Sequence, residues 1–187
     1  MEYKIIGDNS NGLSHLTYEY LEKYGNGDVF VETGTYMGDT VKLAISKGYN
    51  HIYSCEINEK LYNDCSEMFK DNQNVTILHG DSVDSLKDIL TRIKGPATFW
   101  LDAHASGHLV GGKSGGSPVI DELLLIAKHD CKEHTIFIDD RRLFNSAEWS
   151  FVKEEDAFRI IQSINEKYNI HLLDGHAPQD VICATIK

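Results

Sequence analysis

The chain has no apolar run approaching the ~20 residues of a membrane span, and its opening Met1-Glu2-Tyr3-Lys4 does not begin a secretory leader. A cytoplasmic protein is therefore expected. Cysteine is sparse and scattered. Cys55, Cys65, Cys131 and Cys183 form no C-x-x-C pair, so neither a zinc knuckle nor a disulfide framework is indicated, and the four read as reduced, structural thiols. Basic charge is short as well: 18 Lys and Arg stand against 29 Asp and Glu, net −11, with no concentrated basic stripe. A phosphate backbone would be repelled, which disfavours nucleic acid as a partner and makes small neutral or cationic substrates easier to hold. The rest is ordinary: 187 residues, 41% hydrophobic and 25% charged, fit one domain with a sizeable core.

Against this background one stretch stands out, Val29-Phe30-Val31-Glu32-Thr33-Gly34-Thr35-Tyr36-Met37-Gly38-Asp39-Thr40. The apolar Val29 to Val31 reads as a buried parallel strand, the glycines as a sharp turn, and Thr40 to Ile45 as the start of a helix. Gly34 and Gly38 let backbone turn tightly and lie against a ligand, while the first N–H groups of the helix face the same space. The order Glu32-x-Gly34-x-x-x-Gly38 is not the G-x-G-x-x-G of a dinucleotide site. An acid before the first glycine repels phosphate and suits a ligand with an amino group. These residues resemble the first motif of the class I S-adenosylmethionine-dependent methyltransferases, in which the glycine turn passes the methionine part of the cofactor.

Read in order, the chain alternates strand and helix. Asn11 to Tyr24 carries a helical stripe of Leu13, Leu16, Tyr20, Leu21 and Tyr24, closed by Gly25-Asn26-Gly27. After the first strand and helix come His51–Glu56 as a strand, Glu59–Lys70 as a helix and Val75–Leu78 as a strand. Val83–Ile93 then reads as a helix, Ala97–Leu101 as a strand and Thr135–Asp140 as another. The alternation predicts a parallel sheet with helices on both faces and ligands bound beyond the carboxyl ends of its strands. At the end, Lys153–Tyr168 reads as a long helix, followed by strands Ile170–Leu173 and Val181–Ile186 around the polar link Asp174–Gln179. A short link makes a hairpin, so the last strand is expected antiparallel. This matches the seven-stranded methyltransferase sheet, order 3-2-1-4-5-7-6. The resemblance runs from about Asp28 to Lys187, and so minimal a domain is also compatible with a module of a longer chain.

Glu56 ends the second strand, where a carboxylate can accept hydrogen bonds from a ribose diol. By the resemblance, Asp81 accepts the adenine amino group with Ser82 beside it. The cofactor site it implies comprises Glu32, Thr33, Gly34, Thr35, Gly38, Thr40, Glu56, Ile57, Asp81, Ser82 and Asp102.

A rival lies further along. Gly107-His108-Leu109-Val110-Gly111-Gly112-Lys113-Ser114 fits the P-loop expression, and Thr135–Asp140 looks like its companion acidic strand. A nucleotide-binding phosphotransferase or NTPase is the alternative reading. Against it, Gly115-Gly116-Ser117-Pro118 follows at once and breaks the helix a P-loop requires. Ser117 instead reads as the cap and Pro118 as the first residue of a helix through Ala127. Gly107–Gly116 is better read as a lid able to close over a substrate.

Asp102, Asp139 and Asp140 are expected to converge above two neighbouring strands. Carboxylates that close repel unless neutralised, for which a hard divalent cation, Mg²⁺ or Mn²⁺, is suited. Asp102-Ala103-His104 and the later Ile138-Asp139-Asp140 resemble the metal-dependent O-methyltransferases of sugars, the macrocin O-methyltransferase family. The resemblance implies Asp102, Asp139 and Asp140 as metal ligands. Its general base is an acid where this chain has His104, whose imidazole can take a proton near neutral pH. His108, Arg141 and Arg142 complete the site as substrate-binding residues. The expected acceptor is a sugar or glycan hydroxyl, with a phenolic metabolite as the alternative, on a monomer or homodimer.

Overall fold

The structure, a computed structural model, describes residues 15–104 and 116–186. Among these, the strands are β1 (Val29–Thr33), β2 (His51–Glu56), β3 (Val75–His79), β4 (Ala97–Leu101), β5 (Thr135–Ile138), β6 (Asn169–Leu173) and β7 (Val181–Thr185). They form one sheet in the order β3-β2-β1-β4-β5-β7-β6. The strands from β3 across to β5 are parallel, and β7 runs antiparallel to both β5 and β6. Strand order and reversed last strand are as the sequence predicts.

Composition explains which strands are central. Every residue of β4, β5 and β7 is buried, whereas β3 at the edge is only half-buried. A strand covered on both faces reads as a near-continuous apolar run, broken here only by threonines. Alternate residues serve two cores. Phe99, Ile136 and Ile138 pack with α4 (Ser82–Arg92), α5 (Val119–Lys128) and α6 (Glu154–Ile164). Phe30, Trp100 and Phe137 pack on the other face with α1 (Tyr18–Tyr24), α2 (Asp39–Lys47) and α3 (Glu59–Phe69). No helix among the described residues is long and apolar enough to cross a membrane.

Two helices are shorter than the sequence suggests. α1 begins at Tyr18 because Thr17 caps it, its Oγ1 accepting the Tyr20 N–H at 3.1 Å. His15 and Leu16 therefore precede the helix, and residues 11–14 lie outside the described residues. α6 ends at Ile164, since Asn165 turns out of helical geometry and accepts the Lys167 N–H on its side chain. That turn lets Tyr168 point inward and donate its hydroxyl to the His134 carbonyl at 2.8 Å. α5 starts at Val119, with Pro118 at the cap position and the Ser117 hydroxyl 3.4 Å from the Val119 N–H.

The topology fixes where a ligand can bind. From β3 at one edge the chain returns to β4 on the far side of β1, which makes the β1/β4 boundary a switch point with a crevice at its carboxyl end. In register, Thr33 lies beside both Cys55 and Leu101, and Leu101 beside Ile138. The residues that follow these strands, Gly34, Asp102 and Asp139, therefore emerge along one edge.

Candidate active site

The turn after β1 is held by backbone before any side chain acts. Gly34 and Thr35 both donate their N–H to the Cys55 carbonyl at 3.0 Å. Gly34 sits at φ +91°, and a Cβ there would lie 2.8 Å from the Asp102 carbonyl oxygen, so this close approach to the end of β4 requires glycine. Gly38, at φ +76°, caps α2 against the Phe69 ring. Beneath the turn Glu32 is buried. Ser54 on β2 donates to its Oε2 at 2.6 Å, Thr35 bonds Ser54 at 2.6 Å, and Thr40 is buried as well. Burial pushes the Glu32 pKa up to about 8. Its carboxyl is held under the turn by the Ser54 hydroxyl.

Glu56 is aimed by two backbone donors: Tyr36 N–H to Oε2 at 2.9 Å and Asn58 N–H to Oε1 at 2.8 Å. Around it, Tyr36, Met37 and Ile57 are exposed apolar side chains, an uncommon grouping at a strand edge and a surface on which a flat ring can lie. Asp81 caps α4, its Oδ1 accepting the Val83 N–H at 3.0 Å. Ser82, beside it, and Thr33 are buried, as is the Glu122 carboxyl, on whose charge both hydroxyls act. Thr33 also receives the Asp102 N–H on its carbonyl at 3.1 Å, tying β1 to the residue after β4.

The acids and histidines beyond β4 and β5 form one cluster. His104 stands between two carboxylates, its Nε2 3.2 Å from Asp140 Oδ2 and its Nδ1 3.5 Å from Asp102 Oδ1. The second distance is too long for a formed hydrogen bond, and Nδ1 has no hydrogen-bond partner among the described residues. Burial alone would lower the His104 pKa, but Asp102, Asp140 and Asp139 together outweigh it and raise the value. Burial raises that of Asp102. Asp139 is buried, with Oδ1 receiving the Asp140 N–H at 2.8 Å and Oδ2 lying 2.8 Å from Nδ1 of His15. That contact raises the His15 pKa. Asp140 sits at φ +56° at the head of the single helical turn Arg141–Leu143, a backbone state tolerated by Asp and found at functional sites.

The two arginines are engaged below the cluster. Arg142 is shared between Asp140 and the buried Asp180, and Arg141 pairs with Glu154. His108, and with it the expected lid and P-loop-like segment except for Gly116, lies outside the described residues. Three contributors were not expected. His15 arrives from 124 positions away along the chain, and no local pattern announces it. Ser54 is signalled by its place as a hydroxyl within the apolar Ile52–Cys55 stretch. Glu122 is signalled by sharing a helical face with Val119 and Ile126, both buried; burial pushes its pKa up to about 7.

The fold and the edge can be set beside known proteins. No family model matches the chain, and no curated protein matches it. Among solved structures, it is similar to a Bacillus cereus O-methyltransferase in complex with S-adenosylhomocysteine, at 16% identity over 90% of this chain and 77% of that one, TM-score 0.59. It is also similar to the Podospora anserina methyltransferase PaMTH1 bound to the same compound, at 15% identity over 91% and 75%, TM-score 0.57. A third is a Clostridium thermocellum protein provisionally described as an rRNA-methylase, at 11% identity over 90% and 94%, TM-score 0.61. The chain has the Rossmann-like fold of the S-adenosylmethionine-dependent methyltransferases. Identities of this size carry the fold and leave the chemistry to the site.

Proposed function

We propose that this chain is an S-adenosylmethionine-dependent O-methyltransferase that methylates a hydroxyl of a sugar or glycan, with a divalent ion, Mg²⁺ or Mn²⁺, held by Asp102, Asp139 and Asp140. The observation that carries the reading is the shared edge. The Gly34 turn and Glu56 stand on one side of the β1/β4 crevice, and His104 with three acids stands on the other. Support for the cofactor comes from the fold shared with proteins that hold S-adenosylhomocysteine and from the apolar surface around Glu56. Support for the ion comes from ligand atoms that lie within 4.8 Å of one another in two overlapping sets, Asp102/His104/Asp140 and His15/Asp139/Asp140. The net charge of −11 speaks for a small or glycan acceptor over nucleic acid.

When bound, the cofactor supplies an electrophilic methyl group on sulfur, and the ion polarises the acceptor hydroxyl. The chain's own task is to align that hydroxyl and take its proton. Asp140 holds the His104 ring through Nε2, which leaves Nδ1 as the atom that accepts the proton. The methyl group would pass to the acceptor oxygen so freed of its proton, the electron pair of the broken carbon–sulfur bond staying with sulfur.

Calorimetric titration with S-adenosylhomocysteine, with and without Mn²⁺ and with ATP as the parallel ligand, tests the reading. Micromolar binding of the homocysteine compound and none of ATP is expected; ATP binding alone would restore the P-loop reading. His104→Ala is expected to retain cofactor affinity while slowing methyl transfer by about 10²–10⁴-fold. Unchanged turnover in that variant would remove His104 as the base.

A further inference from the structure

We infer that His15 is a direct ligand of the divalent ion, so that the centre is an imidazole-and-carboxylate site that takes a transition ion such as Mn²⁺ ahead of Mg²⁺. The inference rests on the reading of Asp139 and Asp140 as metal ligands and adds to it a nitrogen donor from a distant part of the chain. The geometry points to it. Two ligands side by side on a six-coordinate ion with bonds of about 2.1 Å lie about 3.0 Å apart, and opposite ligands about 4.2 Å apart. His15 Nδ1 and Asp139 Oδ2 are 2.8 Å apart, and these atoms and an Asp140 oxygen all fall within 4.8 Å of one another. His15 and Asp139 are thus spaced as neighbouring ligands, and the Asp140 oxygen, within 4.8 Å of both, has to draw in by at most about 0.6 Å to complete the set.

The surroundings favour a ligand role over a simple contact. The other oxygen of Asp139 is occupied by the Asp140 N–H, so Oδ2 is fixed in direction. Asp140 gives Oδ1 to Arg142, while its Oδ2 faces His104. The His15 ring packs against His176 of the β6–β7 link, centroids 5.7 Å apart, which limits its rotation. An imidazole raises affinity for borderline transition ions over magnesium, which prefers oxygen and retains its waters. His104 stays outside this set and remains the base.

Electron spin-echo spectroscopy of the full chain loaded with Mn²⁺ alone reads the ligand directly, because a coordinated imidazole nitrogen modulates the echo. The modulation is expected in the wild type, absent in His15→Gln and His15→Ala, and retained in His104→Ala. Glutamine can donate to Asp139 as the histidine does, so it separates a structural contact from ligation. In titrations, wild type is expected to bind Mn²⁺ at least about tenfold more tightly than Mg²⁺, and His15→Gln to lose about tenfold for Mn²⁺, with S-adenosylhomocysteine affinity and melting temperature unchanged. If Mn²⁺ binds without nitrogen modulation, or the modulation survives in His15→Gln, the inference is overturned and an all-carboxylate site stands. If the wild type binds no divalent ion, the metal reading itself falls, and this inference with it.

Discussion

Gly34→Ala is expected to weaken S-adenosylhomocysteine binding about a hundredfold, which corresponds to about 2.7 kcal/mol, and to destabilise the fold by about 1–3 kcal/mol. Both effects come from one atom. A Cβ at Gly34 would lie 2.8 Å from the Asp102 carbonyl oxygen and 3.2 Å from its carbon, at a φ of +91°. Those neighbours are backbone, so relief requires β1 and β4 to part at the edge where the ligand is proposed to lie. Separation also breaks the Asp102 N–H bond to the Thr33 carbonyl and moves Asp102 relative to His104. Gly48→Ala is the control. Gly48 has a similar φ of +88° but nothing within 4 Å of the added carbon, so it carries the conformational cost, about 1 kcal/mol, without the crowding. Calorimetry and denaturant unfolding of both variants check the expectation. Equal losses in the two would mean that the close approach at Gly34 does not shape the crevice.

The same contrast between local and distant causes separates what could be read in the sequence from what could not. The turn at Gly34, the acids at strand ends and the breaks around Ser117-Pro118 are local features, in which spacing and residue type act over a few positions. Asp102, Asp139, Asp140 and His104 were legible as a group because parallel strands in register deliver whatever follows them to one edge. The environment of each group was not legible. Glu32 reads as an acid beside a ligand; that it is also buried and bonded by Ser54, one strand over, comes from a residue 22 positions away. Arg141 and Arg142 read as substrate-binding residues, and the acids that pair with them, Glu154 and Asp180, come from later elements. Where α1 starts was set by a single hydroxyl on Thr17, which an apolar stripe extending back to Leu13 concealed. In each case, the deciding partner is remote in sequence and near in space.

A second large effect is expected at the opposite end of the sheet, where acid should unlock a histidine relay. His134 is fully buried. The Ala97 N–H donates to its Nδ1 at 3.1 Å, so that nitrogen carries no proton and Nε2 does. Nε2–H then points at Nδ1 of His129 at 3.0 Å, and Nε2 of His129 is 3.2 Å from the Ile93 carbonyl. A proton added to His134 would set two donors face to face at Ala97. Burial first, and the neighbouring His129 and Lys132 after it, push the His134 pKa down from 6.5 to about 4. Below pH 6.5 the unfolded chain binds a proton that the folded chain refuses until pH about 4. Stability therefore falls across that window and not further below it, by about 3 kcal/mol from a shift of this size. Glu32 works in the other direction, since its pKa is raised from 4.5 to about 8 and it costs stability as pH rises between those values. The wild-type profile mixes the two, so the informative quantity is a difference. His134→Asn keeps an oxygen to accept the Ala97 N–H but cannot titrate. Urea unfolding at pH 7, 6, 5 and 4 is expected to show the wild type losing about 3 kcal/mol more than the variant between pH 6.5 and 4. Parallel curves would mean that His134 takes up its proton within the fold, and that Ala97, His129 and Ile93 yield to it.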